Sequence, residues 1–204
     1  MDTIKSKYHE TLAATVIKNL EKRQMEGYYC PTVEDAEKLA FSFLKDGQTV
    51  SFGGSMTLEE TGMLTALRHD PSIHLIDRST AKTPDETKKM YHDALSSDVY
   101  FMSTNAITTG GELVNIDGTG NRVAALIYGP ETVVILAGMN KIAANVDEAL
   151  SRVHNVATAQ NCIRLDKKTP CAITGACADC LSPDCICNQV VITRRSGIKG
   201  RIKV

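Results

Sequence analysis

The sequence lacks the features that mark membrane-spanning and nucleic-acid-binding proteins. No stretch approaches the roughly 18 continuous apolar residues of a membrane-spanning helix. There are 23 Lys and Arg residues against 24 Asp and Glu, which leaves a formal net charge of -1, and neither sign forms a long block. We therefore expect no nucleic-acid and no membrane partner. The N-terminal residues also lack the apolar core and cleavage site of a signal peptide, so we expect a cytoplasmic protein.

The common catalytic and nucleotide-binding motifs are missing as well. No serine or cysteine lies in a nucleophile-elbow context, and there is no complete GxGxxG fingerprint and no phosphate-loop lysine. The histidines are scattered, without the spacing of a pair of metal ligands. Because no general acid/base pair can be named, the sequence does not decide whether the chain has its own turnover.

What is present predicts one packed α/β domain over residues 1–204. With 204 residues, 43% of them hydrophobic, the chain can bury a real core. Two amphipathic helices are predicted over 4–25 and 32–47, and then short β-rich runs at 49–52, 73–76, 98–102 and 132–137 alternate with helices at 57–68, 84–95 and 147–158. This alternation predicts a mainly parallel sheet flanked by helices.

The domain is predicted to have three parts. Residues 1–47 form the N-terminal helices, residues 48–165 the α/β core, and residues 166–204 a cysteine-rich segment with the last strands. Two short runs in the last part, 189–195 and 200–204, surround Ser196 and Gly197 and are expected to pair as a hairpin.

Three polar loops follow predicted strands, where ligands of open α/β sheets bind. The first, 51–62, exposes backbone N–H groups that suit a phosphate or carboxylate; its alternative is a tight turn in which Thr57 caps a helix and Glu60 completes a capping box. The second, 104–122, is a ligand loop or an elaborate structural hairpin. The third, 138–142, offers Lys141 to an anion or to solvent.

Together these loops predict a site for a small anionic molecule. Its candidate ligand-binding residues are Gly53, Gly54, Ser55, Thr57, Glu60, Asn105, Thr108, Asn115, Asp117, Gly118, Gly120, Asn121, Arg122, Asn140 and Lys141.

The cysteines point to a metal. Cys171, Cys177, Cys180 and Cys187 form the pattern C-x5-C-x2-C-x6-C, with Cys185 as an alternate ligand. In a reducing compartment such clusters hold metals more often than disulfides, and the central CxxC lets two thiolates meet one metal. A [4Fe–4S] cluster, a structural zinc and thiol redox chemistry all remain open, although the compact spacing favours the cluster. Cys30 and Cys162 are isolated and are expected to be small buried apolar residues.

Several motifs together resemble the lactate-utilisation (LUD) domain family. They are FGGSMTLEETG, TNAITTGGELVNIDGTGNRVAALIYGP, GMNKI, TPCAITGACADC and SPDCICN, and the resemblance covers residues 5 to 193. It implies a fold like those of the NagB/RpiA/CoA-transferase superfamily. It also implies a link to the oxidation of lactate beside iron–sulfur partners, and a cysteine-rich branch in which Cys185 stands where similar tails commonly have a charged residue.

Two functions from different classes follow. The first is an iron–sulfur electron-transfer or accessory component in the oxidation of lactate or a related 2-hydroxy acid, with an iron–sulfur or dehydrogenase protein as partner. The second is a protein that binds or isomerises a phosphosugar or CoA ester, with a structural zinc. Apolar faces on the N-terminal helices leave a homo-oligomer open.

Overall fold

The computed structural model describes residues 3–204, and its strands form two sheets. The strands are β1 (Thr49–Phe52), β2 (His74–Ile76), β3 (Val99–Met102), β4 (Ala106–Thr108), β5 (Leu113–Asp117), β6 (Thr132–Ile135), β7 (Ile142–Ala143), β8 (Gln189–Thr193) and β9 (Ile202–Lys203). The larger sheet is parallel throughout and has the order β2-β1-β3-β6-β9. This topology confirms the predicted α/β class with a mainly parallel sheet.

Helices connect these strands. They are α1 (Thr3–Lys22), α2 (Val33–Phe41), α3 (Met56–Glu60), α4 (Met63–His69), α5 (Pro84–Leu95), α6 (Asn121–Ile127), α7 (Val146–Arg152), α8 (Ala159–Arg164) and α9 (Pro170–Thr174). Their starts follow local chemistry, since Thr32 and Thr83 each accept a backbone N–H of the first turn that follows. No helix within residues 3–204 is long and apolar enough to cross a membrane.

The larger sheet is buried on both faces. Along β3, Tyr100 and Met102 pack into one apolar cluster, and Val99 and Phe101 pack into the other. Because successive side chains of a strand point to opposite faces, a strand covered on both sides reads as a continuous apolar run. The N-terminal helix α1 covers the first cluster through Val16 and Leu20.

The second sheet is mixed and has the order β7-β4-β5-β8. In it β5 pairs antiparallel with both β4 and β8. The predicted C-terminal hairpin is therefore wrong, because residues 189–193 pair with β5 while Ile202 and Lys203 join β6 in the larger sheet. Ile202 is buried in the core on one face of the larger sheet, whereas β8 is largely exposed and covers the edge of the second sheet.

The predicted helix over 57–68 is two helices. Gly62, at φ 75°, separates α3 from α4 because this left-handed backbone conformation interrupts a helix. The helix cap is Ser55, whose hydroxyl accepts the N–H of Leu58 at 3.4 Å. The predicted cap at Thr57 is wrong, since its hydroxyl accepts a hydrogen bond from Lys141 instead.

The predicted helix over 147–158 also continues differently. After α7 the chain widens into a π-helical turn, Val153–Thr158, and then narrows again into α8. Within this turn Val153 and Thr158 are buried, while α8 buries Ala159 and Cys162. Such a turn holds one residue more than an α-helical turn, and it is frequent at functional sites.

Candidate functional site

A polar cavity of about 710 Å³ opens at the carboxyl ends of the central strands. Residues that follow β1 (Gly54–Thr57), β3 (Ser103–Asn105) and β6 (Asn140 and Lys141) line it. The order β2-β1-β3-β6 changes direction between β1 and β3. Ligands of open α/β sheets bind at this kind of switch point, because the connections on its two sides diverge and leave a crevice.

Most of the predicted ligand-binding residues line this cavity. They are Gly54, Ser55, Thr57, Glu60, Asn105, Asp117, Gly118, Asn121, Arg122, Asn140 and Lys141. Gly53, Thr108, Asn115 and Gly120 do not line it. Thr108 instead bonds to Glu112, Asn115 is fully buried behind the wall, and Gly120 holds φ 90° at the start of α6. The glycine-rich loops thus place most of the predicted set in one cavity.

Lys141 is fixed in the cavity wall by two hydroxyl groups. Its Nζ donates to Oγ1 of Thr57 and to Oγ of Ser103, each at 2.7 Å. Burial, and then the charges of Arg152 and Arg122, lower the pKa of Lys141 to about 8, while Glu60 opposes this shift. A much larger fraction of Lys141 is therefore in the neutral amine form than for a surface lysine.

The sequence analysis missed four cationic side chains that line the cavity: Arg78, Arg152, Arg164 and Lys167. Arg152 on α7 donates from Nε to the carbonyl of Asn140 at 3.0 Å and from Nη1 to the carbonyl of Asn105 at 2.7 Å. Arg78 lies over the ring of Tyr91, with its Cζ 5.6 Å from the ring centroid. Both side chains line the cavity. They come from a helix and a 3₁₀ turn, so no local sequence pattern marks them.

The charges around the cavity are mostly cationic. The cations are Arg78, Arg122, Lys141, Arg152, Arg164 and Lys167, and the anions are Glu60, Asp117 and Asp184. A concave surface with this excess attracts anions, and its walls keep water from screening the attraction as it does on an open surface.

Arg122 holds the loops in place rather than offering free donors. Its Nε lies 3.1 Å from a carboxylate oxygen of Asp117. Nη1 donates to the carbonyl of Ser103 and to Oδ1 of Asn115, and Nη2 donates to Oδ1 of Asn105 and to the carbonyl of Ile116. A guanidinium has five N–H groups, and oxygens of the loop after β3 and of β5 itself occupy all of them.

The cysteine-rich segment forms one wall of the same cavity. Pro183, Asp184, Cys185 and Ile186 line it. After α9 ends at Thr174, residues 176–188 contain neither helix nor strand. The segment is attached to the second sheet at its far end, where Asn188 donates to the carbonyl of Gly118 at 3.0 Å.

The thiols contact the π-helical turn and one another. Cys177 accepts from or donates to Nδ1 of His154, with Sγ 3.7 Å from the ring nitrogen, and its backbone N–H donates to Asn155. The backbone N–H of Cys187 donates to Sγ of Cys185 at 3.4 Å. Burial raises the pKa of Cys187 to about 11.

Cys162 is not isolated, contrary to the prediction. It is buried, as expected, but it packs against Cys171 in one small cluster and hydrogen-bonds to it. The turn between α8 and α9 brings the two together. Cys30 lies apart from the other thiols, half-buried in the wall of an apolar cavity of about 310 Å³ between α1 and α2.

The donor chemistry of the segment fits a thiolate-bound metal. Clustered thiols are the ligands that iron–sulfur clusters and structural zinc take. In the part of the chain described, however, no three His, Cys, Asp or Glu side chains converge closely enough to hold an ion. A bound metal would therefore draw the thiols of the irregular stretch together and displace their protons.

The chain is an α/β protein with a cavity at the switch point of its larger sheet. Cationic side chains and Cys185 line this cavity. The sequence model of the LUD domain matches residues 13–204, and the chain belongs to this family of lactate-utilisation domains. No curated protein sequence matches the chain.

Several solved structures resemble part of the chain. The tetrameric eIF2B-beta2-delta2 complex from C. thermophilum is 19% identical, with a TM-score of 0.37, over 54% of this chain and 42% of that chain. Ribose 5-phosphate isomerase A from Neisseria gonorrhoeae is 15% identical, with a TM-score of 0.35, over 54% and 52%. Ribose 5-phosphate isomerase from Plasmodium falciparum is 16% identical, with a TM-score of 0.34, over 55% and 52%. The chain thus spans about half the length of each.

Proposed function

We propose that the chain is an iron–sulfur component in the oxidation of lactate or a related 2-hydroxy acid. Cys171, Cys177, Cys180 and Cys187 would hold a [4Fe–4S] cluster, with Cys185 as an alternate ligand. The observation that carries the proposal is that Cys185 and Lys141 line one cavity, so the thiol segment and the anion site are neighbours.

The cavity residues would bind and orient the 2-hydroxy acid. Arg152 uses Nε and Nη1 on backbone carbonyls, which leaves Nη2 for a carboxylate. Lys141 spends two of its three N–H donors on Thr57 and Ser103, and its third remains for the ligand. A guanidinium and an ammonium that are already fixed bind a carboxylate with little loss of side-chain entropy.

The cluster, when bound, would supply one-electron transfer. The residues of the chain have the tasks of binding the substrate, excluding water and placing the thiols. Ile173 and Leu181 are 82% and 99% exposed on the thiol segment, and apolar side chains here favour contact with an iron–sulfur or dehydrogenase partner. An activity assay of the purified chain decides whether it catalyses a reaction without a partner protein.

Metal analysis of the anaerobically purified protein tests the proposal. We expect a brown protein with about four irons per chain, the number that this cluster type requires. Cys30→Ser is the matched control, since this thiol lies in the other cavity and its loss should leave iron unchanged. A colourless protein with one zinc would refute the cluster.

One observation favours a second candidate. A cavity of about 710 Å³ with six cationic side chains is large for lactate and has room for a phosphosugar or part of a CoA ester. In that case zinc would only fix the thiol segment. A thermal-shift panel of 2-hydroxy acids, sugar phosphates and CoA esters distinguishes the two, because a ligand that binds only the folded state raises the melting temperature.

A further inference from the structure

Of the two lysines that line the cavity, Lys141 is the one whose nitrogen is held by two hydroxyl groups. A 3₁₀ turn, Met139–Lys141, carries it directly after β6, and the backbone N–H of Lys141 donates to the carbonyl of Gly138 at 2.9 Å. The side chain then reaches Thr57 and Ser103 across the cavity floor. Its Nζ is therefore held by residues that follow β1 and β3, while its own backbone follows β6.

The surroundings of this nitrogen favour the neutral amine. Arg152 and Arg122 bring like charge toward it, and burial removes water, while Glu60 acts in the opposite direction. With its pKa at about 8, about a tenth of Lys141 is uncharged at neutral pH, on the order of a hundred-fold more than for an ordinary lysine. Desolvated amines of this kind are nucleophiles toward carbonyl carbons.

The hydroxyl partners suit the same chemistry. Both oxygens accept hydrogen bonds from the ammonium, and either hydroxyl can donate to the single lone pair of the neutral amine while the other still accepts an N–H. Thr57 and Ser103 therefore keep the nitrogen in place in either protonation state. Arg152 lines the same cavity, and its Nη2 makes no hydrogen bond to the backbone, so it is the candidate partner for the carboxylate of a ligand whose carbonyl meets the amine.

We propose that Lys141 binds a 2-oxo acid covalently, through an imine between its Nζ and the keto carbon. The neutral amine adds to the carbonyl carbon, and the keto oxygen leaves as water with the two amine hydrogens. One C=N bond replaces one C=O bond, and no oxidant or reductant is needed. The substrate class rests on the proposed function, since a 2-oxo acid is what the oxidation of a 2-hydroxy acid produces.

Lys167 is the internal comparison for this proposal. It lines the same cavity, but its Nζ lies 3.9 Å from a carboxylate oxygen of Asp184 and is not held by hydroxyl groups of the strand-end loops. A lysine that only attracts anions should behave like Lys167. An imine-forming lysine should differ from it in reactivity toward the keto group and not merely in affinity for the carboxylate.

Trapping with cyanoborohydride tests the proposal on the intact chain. Pyruvate and the reductant together should raise the protein mass by one pyruvate less one oxygen atom, and peptide mapping should place the addition on Lys141. We expect Lys141 to carry at least about tenfold more adduct than Lys167, because burial lowers the pKa of Lys141 to about 8 and its nitrogen is held in place by two hydroxyl groups. Labelling should rise with pH up to about 8 and then level, following the pKa of Lys141.

Two variants sharpen the result. Lys141→Arg keeps the positive charge but lacks a nucleophilic amine, and it should lose the adduct. Thr57→Val removes one hydroxyl partner and should slow labelling several-fold without abolishing it. The wild-type experiment stands by itself if either variant fails to fold.

The outcomes separate this inference from the iron–sulfur proposal. No adduct, or equal labelling of Lys141 and Lys167, overturns the imine whatever metal the protein holds. Labelling of Lys141 in a protein that binds zinc or no metal supports the imine and refutes the cluster.

Discussion

The guanidinium of Arg122 lies 3.1 Å from the carboxylate of Asp117, and its other N–H groups bond to oxygens of the loops after β3 and within β5. The side chains are only 12% and 8% exposed. A loop cluster rich in glycine has little apolar contact of its own, so this ion pair and its hydrogen bonds hold it in shape. Arg122, which the sequence analysis predicted to bind the ligand, therefore stabilises the cavity wall instead.

Arg122→Ala should therefore reduce stability more than it changes local binding chemistry. The substitution removes the cation that is paired with the buried carboxylate of Asp117, which costs about 3 kcal/mol. Urea unfolding measures the loss. Arg164→Ala is the control, because both bonds of Arg164 go to the exposed side chain of Asn161 and its loss should cost within about 0.5 kcal/mol. Equal losses for the two variants would contradict the role given to Arg122.

The lowered pKa of Lys141 should make the free energy of unfolding depend on pH in the alkaline range. Its pKa is lowered to about 8 in the folded protein from an ordinary value of 10.5, so between these values the unfolded chain holds a proton that the folded chain has lost. Stability then rises with pH across this window, by about 1–3 kcal/mol, and the penalty is fully present below pH 8. Lys141→Met should flatten this rise when its unfolding free energy is compared with that of the wild type. Parallel pH profiles would rule out the shifted pKa.

Gly54→Ala should weaken anion binding while leaving the fold intact. A Cβ at this position would stand 2.5 Å from Nη2 of Arg78, the flexible end of a side chain that can move aside. Arg78 would then be displaced from the cavity, and affinity for a carboxylate or phosphate should fall several-fold. Isothermal titration measures the fall. Gly197→Ala is the matched control, since nothing lies within 4 Å of a Cβ there.

Loss of a predicted metal ligand should loosen the thiol segment. Cys180→Ser should lower the iron content and make residues 176–188 exchange backbone hydrogens faster, because this stretch has no helix or strand to protect it. Hydrogen-exchange mass spectrometry checks this, with Cys30→Ser as control. Unchanged exchange in Cys180→Ser would show that the segment does not rely on a metal.

The strands of the larger sheet were predictable because their signals are local. β1, β3 and β6 are short runs rich in β-branched and aromatic residues that are bounded by polar turns, and such runs are typical of strands. α5 follows Thr83 and begins with Pro84, so its bounds could be read from the capping chemistry. Elements fixed by their own residues were found where expected.

The second sheet was not predictable in the same way. β4 has three residues and β7 has two, too few to show any period. β8 and β9 were recognised as strands, but their partners β5 and β6 lie far away in sequence. Pairing at that distance is decided by the packing of whole layers.

The residues of the candidate site also divide into those that local sequence predicts and those that depend on distant packing. Glycine-rich loops after strands predicted most of the cavity wall, because the carboxyl ends of parallel strands lie at one edge. Arg78, Arg152 and the contact of Cys162 with Cys171 were missed, since each depends on how a helix or turn from elsewhere in the chain lies against that edge.

The π-helical turn Val153–Thr158 fixes how α8 is rotated about its own axis relative to α7. Its 6 residues place His154 against Cys177 and Thr158 against Cys187, and α8 follows with Cys162 facing Cys171. Deleting one residue would restore the α-helical repeat and rotate α8 by about 100°. Cys162 would turn away from Cys171, and the helix would present a different row of side chains to the thiols. A one-residue deletion in this turn would therefore change which side chains contact the thiols, although every cysteine would be kept.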